Sequence, residues 1–324
     1  MLLLYHLSMK LKIFISIVCA QIVAIIFLFL QIQHKNNNIL DVSVNTIDSK
    51  MIQRIPVGEL KYFFEPKPNT VNEDHTVWFP YISKQTINSD TLNERFKYSQ
   101  EKKEGVFRII TLGDSFTYGS HVDTEENWTE LLEDYLNTNN VCKDTKKYEV
   151  INLGVWGYDF AYETERYIRR GQKYNPDLII MLIIDFGRVT EHRFQNQNRI
   201  ILTKEQKEEY RKKGIFYPEL SIYDNELSND SRITYQQKYF DKFMSIYNNG
   251  LLMVDFEKNP IYQSAINKMA RDYKEITLER TKLSWKNKEY SLLDGHPNTE
   301  GHKAIAEDMF AYLIKNKLIP CIDN

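Results

Sequence analysis

The chain has 324 residues, 42% of them hydrophobic and 27% charged, with a formal net charge of -2 at neutral pH. That is enough apolar material for one sizeable core with appendages, so the fold needs no disulfide scaffold. The near-neutral balance leaves a nucleic-acid partner without electrostatic support. Lysine pairs such as Lys102-Lys103, Lys146-Lys147 and Lys212-Lys213 are interleaved with acids and read as solvated faces.

Residues 13–32 read IFISIVCAQIVAIIFLFLQI, with only Ser16, Gln21 and Gln31 polar. At helical rise this is long enough to cross a hydrocarbon core, and it predicts an uncleaved transmembrane anchor within residues 1–35. The competing reading, a cleaved signal peptide, lacks a small-x-small site before His34-Lys35. Lys10 and Lys12 precede the span and only Lys35 closely follows it. This predicts a cytoplasmic N-terminus and a C-terminal body outside the plasma (inner) membrane. Cys19 falls in the span, whereas Cys142 and Cys321 would face an oxidising space and could pair. No Cys/His spacing resembles a zinc site, and neither a metal nor a cofactor is expected.

Residues 36–105 carry Pro56, Pro66, Pro68 and Pro80 and the aromatic clusters KYFFEP and TVWFPY, without helical periodicity. They read as a stalk and β-rich lead-in packed on the body that follows. From Val106 the chain alternates. VFRIITL predicts a strand and Glu125 to Asn137 a helix; YEVINLGV is a strand, and Phe160 to Tyr174 a helix. DLIIMLII reads as a strand buried on both faces. GLLMVDF and the weaker KEITLER supply two more strands, with a helix near Tyr262 to Tyr273 between them and a last helix from Thr299 to Lys315. Residues 194–249 form an unusually polar helical insertion, either a substrate-selecting cap or a surface helical pair. The pattern predicts an α/β fold over residues 106–324, a flavodoxin-like three-layer sandwich around a parallel sheet of about five strands.

The first strand ends on Gly113-Asp114-Ser115. Gly113 permits a sharp turn, and Ser115 then stands past a strand C-terminus, where open α/β sheets place their ligands. Either Asp114 or Ser115 caps the next helix, or Ser115 is a nucleophile. Near the other end, DGHPNTEGH sets Asp294 and His296 two residues apart. In an extended or turn segment such positions share a side, so the carboxylate can orient one imidazole nitrogen while the other faces outward. His302 belongs inside the last helix and reads as structural.

Three blocks in order, LGDSFTYG, INLGVWGYD and DGHPNTEGH, make the sequence resemble the SGNH/GDSL hydrolases from Phe107 to about Asn316. The resemblance implies an ester hydrolase with the triad Ser115, His296 and Asp294, and an oxyanion hole from the backbone N–H groups of Ser115 and Gly157. Asp114 and Trp156 are candidate substrate contacts. One block departs from the pattern. Where the family offers Gly-x-Asn-Asp, with an Asn completing the oxyanion hole, this chain reads DFGRVTEHR, Asp185 to Arg193. Gly187 or Arg188 stands nearest the missing Asn, and Asn196 or Asn198 could fold back; Asp185 reads as a strand-end residue. The implied substrates are O-acyl, including O-acetyl, esters of cell-surface glycans. The same triad would also serve an O-acyltransferase, and loss of the Asn would fit a catalytically impaired glycan-binding or scaffold protein.

Overall fold

The computed structural model describes residues 51–74, 81–138, 147–197, 199–280 and 289–320, with Val18, Gln21, Ile22, Ala24 and Ile25, which are helical. The rest of the expected span 13–32 lies outside the described residues, as do Cys142 and Cys321. Among the described residues no helix is long and apolar enough to cross a membrane. The chain divides into residues 1–49 and a compact unit of residues 50–324.

Within the second unit, two short antiparallel pairs come first: β1 (Ile52–Arg54) with β2 (Phe64–Pro66), and β3 (Thr70–Asp74) with β4 (Ser83–Ile87). The expected sheet follows as β5 (Val106–Leu112), β6 (Lys147–Asn152), β7 (Leu178–Ile183), β8 (Gly250–Asp255) and β9 (Ile276–Arg280). All four pairings are parallel, in the order β6-β5-β7-β8-β9. The first strand to enter therefore lies between the second and third, and the winding reverses beside β5. Open α/β sheets place their ligands at this point, beyond the strands' C-terminal ends, and the turn at Ser115 emerges there.

The helices are α1 (Ser115–Tyr118), α2 (Trp128–Thr138), α3 (Phe160–Arg166), α4 (Thr190–Asn196), α5 (Lys204–Lys212), α6 (Pro218–Asp224), α7 (Asn229–Ile246), α8 (Pro260–Asp272) and α9 (Thr299–Lys315). Strand side chains alternate between faces. On one face Ile109, Val150, Ile180, Leu182, Leu252 and Val254 meet Trp128, Leu132 and Leu136 of α2 and Ile305, Met309 and Leu313 of α9. The intervening Ile179, Met181, Leu251 and Met253 are equally buried. Helices α3 and α7 pack against each other, with Phe160 of α3 on Phe240 of α7. Apolar side chains buried on both faces explain why DLIIMLII shows no alternation.

Residues 194–249 are not one insertion. In α7, Tyr239, Phe240 and Phe243 are buried, which makes it a core helix between β7 and β8. The polar excursion proper is α5, which buries none of its residues, and α6, which buries Pro218 and Tyr223. Polar residues on the outer face of α7 hid its apolar stripe.

The β-rich lead-in is fixed to the body by buried polar contacts. Glu65 meets Arg166 of α3 at 2.6 Å, both side chains fully buried, and Arg170 at 2.5 Å. Burial alone would raise the Glu65 carboxyl, but Arg170 and Arg166 outweigh it and bring it down to about 2. Asn93 donates to the Tyr118 carbonyl at 2.7 Å, and Glu94 accepts from the Asn152 amide. The lead-in thus reaches the two segments that follow β5 and β6.

Candidate active site

The site begins with the backbone at Gly113. Its φ is +152°, and a Cβ there would stand 2.2 Å from Thr117 Oγ1, so only glycine fits. Asp114 then caps α1, its side chain accepting from Phe116 N at 3.1 Å. The capping reading therefore holds for Asp114 and leaves Ser115 to its neighbours. Ser115 Oγ is 2.8 Å from His296 Nε2, and His296 Nδ1 is 2.8 Å from Asp294 Oδ2. The turn after β5 and the segment before α9 thus lie side by side.

Asp294 is a fully buried carboxylate. Its Oδ1 accepts from the His296 amide at 3.2 Å, and Tyr217, just before α6, donates its hydroxyl to Oδ2 at 3.3 Å. Burial alone would raise the Asp294 carboxyl, but the hydrogen bond and charge of His296 outweigh it, with His121 adding. The group is held well below the usual carboxylate range and is an anion at neutral pH. Tyr217 sets the polar excursion directly against the Asp294 carboxylate.

The segment after β6 brings Gly157 to the same end of the sheet. Its φ of +75° favours glycine, and its carbonyl accepts from Thr190 Oγ1 at 2.7 Å. Among the described residues, neither the Ser115 nor the Gly157 backbone N–H is engaged in a hydrogen bond. Two donors are thereby left for an anion. Trp156 is half-buried, edge-on to Tyr118 with ring centroids 4.5 Å apart and tilted against Phe64. Packing accounts for its position.

The segment after β7 does something different. Arg188 Nη1 donates to Asp114 Oδ2 at 2.8 Å and to the Tyr158 carbonyl at 2.9 Å. Its Nε lies 3.3 Å from Asp185 Oδ2. Burial would lower the Arg188 guanidinium, yet Asp114 and Asp185 keep it firmly protonated. Arg188 thus bridges the residue before Ser115 and the residue after Gly157. The tie is doubled by Thr190 N, which donates to Asp159 Oδ2 at 2.7 Å, and by Gln236, which donates to the Arg188 carbonyl. Asp114 is consumed by the helix cap and Arg188, which leaves it as a structural group. Beneath this tie is a cavity of about 20 Å³ lined by Asp114, Asp159, Glu163 and Arg188 among others, room for a single water.

The other candidates for the missing side chain lie elsewhere. Gly187 packs on Tyr262, where a Cβ would stand 2.7 Å from the ring. Asn196 turns back to donate to the His192 carbonyl at 2.9 Å, and Asn198 lies outside the described residues. His302 is buried and accepts from Trp128 N at 3.3 Å, the structural role its helical position predicts.

Two residues at the site were not legible in the sequence. His121 Nδ1 lies 2.6 Å from Asp74 Oδ2 at the end of β3, and the His121 ring stands edge-on to His296 with centroids 4.8 Å apart. A histidine six positions after Ser115 was the available signal for one of them. Nothing local marks Asp74, because only the β3–β4 hairpin brings it near.

No family model matches the chain, and no curated protein does. Among solved structures, it is similar to a two-domain esterase (CEX) active on acetylated mannans, at 16% identity over 67% of this chain and 52% of that one, with a TM-score of 0.43. The chain therefore spans about half the length of that protein. The psychrotrophic esterase EstA from Pseudoalteromonas sp. is 15% identical over 65% of this chain and 99% of its own, with a TM-score of 0.40. An acetyl xylan esterase, AlAXEase, is 18% identical over 64% of this chain and 100% of its own, with a TM-score of 0.41. These neighbours are esterases. The functional reading rests on the site itself.

Proposed function

We propose that the protein is a membrane-anchored, extracytoplasmic serine ester hydrolase that acts through Ser115, His296 and Asp294 on O-acyl, including O-acetyl, esters of cell-surface glycans. The observation that carries this reading is the relay from Ser115 Oγ to His296 Nε2 and from His296 Nδ1 to Asp294 Oδ2, each step 2.8 Å, at the reversal point of the sheet. The anchor is supported by the apolar stretch 13–32 and its lysine flanks, and a surface location brings esterified glycans within reach.

A serine hydroxyl is a weak nucleophile until a base takes its proton. His296 Nε2 is at hydrogen-bond distance to do so, while Asp294 holds the tautomer with a proton on Nδ1 and stabilises the imidazolium that forms. The carbonyl oxygen becomes an oxyanion as Ser115 Oγ adds to the carbonyl carbon, and the N–H groups of Ser115 and Gly157 donate to it. His296 then returns the proton to the departing alcohol oxygen, which leaves an acyl-serine. Water, deprotonated by the same imidazole, releases the carboxylic acid. Arg188 keeps the two donor segments in register in place of the Asn.

The test is fluorophosphonate labelling of the detergent-solubilised full chain, with the modified residue located by peptide mass spectrometry. Labelling at Ser115 that is lost in Ser115→Ala and His296→Ala supports the triad; a folded wild-type protein that takes up no probe overturns it. Acetate release from acetylated glycans then tests the substrate class, and protease accessibility of the C-terminal body in intact cells tests its location.

A further inference from the structure

The triad carboxylate has a second imidazole beside it. His121 Nε2 lies 3.7 Å from Asp294 Oδ2, the same oxygen that His296 Nδ1 meets at 2.8 Å. On its far side His121 Nδ1 lies 2.6 Å from Asp74 Oδ2. Asp74, His121, Asp294 and His296 therefore form a row of alternating carboxylates and imidazoles that ends at the Ser115 hydroxyl.

The fold fixes this row from outside the triad. His121 is buried, and its φ of +73° lies in the left-handed region that few non-glycine residues adopt. The turn that follows it is pinned to the β3–β4 hairpin. Lys84 N donates to Asp123 Oδ1 at 2.7 Å, Thr86 N to Thr124 Oγ1 at 2.7 Å and Gln85 Nε2 to the Val122 carbonyl at 3.0 Å. The same hairpin carries Asp74 at the end of β3.

An imidazole between two carboxylates can donate to both only when each nitrogen bears a proton. Neutral His121 has one N–H, and the shorter contact assigns it to Asp74. Protonated His121 has two, and Asp294 is then shared between His121 and His296. We propose that His121, oriented by Asp74, is a positioning residue of the triad: acting through Asp294, its proton state sets how much of that carboxylate is left to orient His296. This rests on the serine-hydrolase reading above and adds a control element to it.

Among the described residues, the titratable groups facing His121 are Asp74 from β3, and Asp294 and His296 from the segment before α9. Tyr217 shares Asp294 from the polar excursion, and His302 of α9 lies behind. Burial pushes His121 below the ordinary histidine range, opposed by its hydrogen bond to Asp74. The ring is neutral at neutral pH and gains its second proton on acidification, when it competes with His296 for Asp294.

The experiment follows the rate of fluorophosphonate labelling at Ser115 against pH in full-length wild type, His121→Asn and Asp74→Asn, with melting temperatures to establish folding. The wild-type rate should fall on the acid side more steeply than one proton accounts for, and His121→Asn should reduce this to a single-proton limb. Asp74→Asn, which removes the charge that favours a protonated His121, should move the second proton to lower pH. An acid limb unchanged in both variants overturns the proposal. A readout that needs no reaction separates it from the hydrolase reading: in the Ser115→Ala protein, ¹⁵N NMR of the His296 ring should show a second inflection that His121→Asn removes. Absence of that inflection also overturns the proposal. Its presence in a protein that takes up no probe overturns the hydrolase reading and leaves the coupling established.

Discussion

The loops leaving β5 and β7 occupy neighbouring positions at the same end of the sheet, yet they are built for different purposes. After β5 the chain turns at Gly113 and presents Ser115 to His296 at 2.8 Å. After β7 it presents a guanidinium, which turns toward Asp114 and the Tyr158 carbonyl. The first loop holds the hydroxyl proposed to react, and the second holds the first loop. In the proposed oxyanion hole the remaining donors are backbone groups, and a cation fixes the loops that carry them.

The largest test of this contrast is removal of the reacting atom itself. Ser115→Ala should abolish labelling and lower ester turnover by at least about a thousandfold while leaving the melting temperature nearly unchanged, since the hydroxyl serves chemistry rather than packing. Activity retained in Ser115→Ala would break the comparison at its root.

Arg188 supplies the next effect, and it should appear in stability as well as rate. Arg188→Met leaves Asp114, which is buried, without its counter-charge, and such a break costs about 3–5 kcal/mol. Adding Asp114→Asn should restore much of that loss, because the stranded charge is then gone. Arg188→Lys keeps the charge but not a planar fork able to bridge Asp114 and the Tyr158 carbonyl, and should slow labelling by roughly ten- to a hundredfold with a smaller loss of stability. Wild-type stability and labelling in Arg188→Met would show that the two loops are independent.

How much of this was readable in the sequence follows from the range of the forces involved. The five strands declared themselves through continuous or alternating apolar runs, and the Ser115 turn through a glycine that no other residue replaces. Asp294 and His296 were legible because two residues of extended chain fix their relation. Arg188 appeared as a candidate donor, but its partners Asp114 and Tyr158 lie on other loops, so its role as a tie depends on tertiary geometry. Asp74 was invisible for the same reason, and His121 offered only its place six residues after Ser115. The polar span 194–249 was read as one unit because surface charges on α7 masked Tyr239, Phe240 and Phe243.

Gly157 sharpens the contrast at smaller scale. A Cβ there meets nothing within 4 Å, so Gly157→Ala is opposed only by its φ of +75°. The expected loss is about 1–2 kcal/mol if the backbone stays in place. If the loop relaxes instead, stability is spared and labelling slows as its N–H swings away. Equal retention of both would remove Gly157 from the oxyanion hole.

The smallest effect concerns the helix behind the triad segment. His302 stands six residues after His296, but it is buried and takes the Trp128 N–H on Nδ1, which requires the neutral ring. Burial pushes it down from an ordinary value of 6.5 to about 3, with the charges of His296 and His121 adding. Because the folded value lies below the unfolded one, its contribution is fully present above pH 6.5 and is lost as the pH falls from there toward 3. Wild-type melting temperature should therefore drop between pH 7.5 and pH 5 by more than that of His302→Asn, whose amide oxygen can accept from Trp128 without titrating. Equal slopes in the two proteins would mean that α9 tolerates a charged His302. In that case the segment carrying Asp294 and His296 would owe its position to Ser115, His121 and Tyr217 rather than to the helix that follows it.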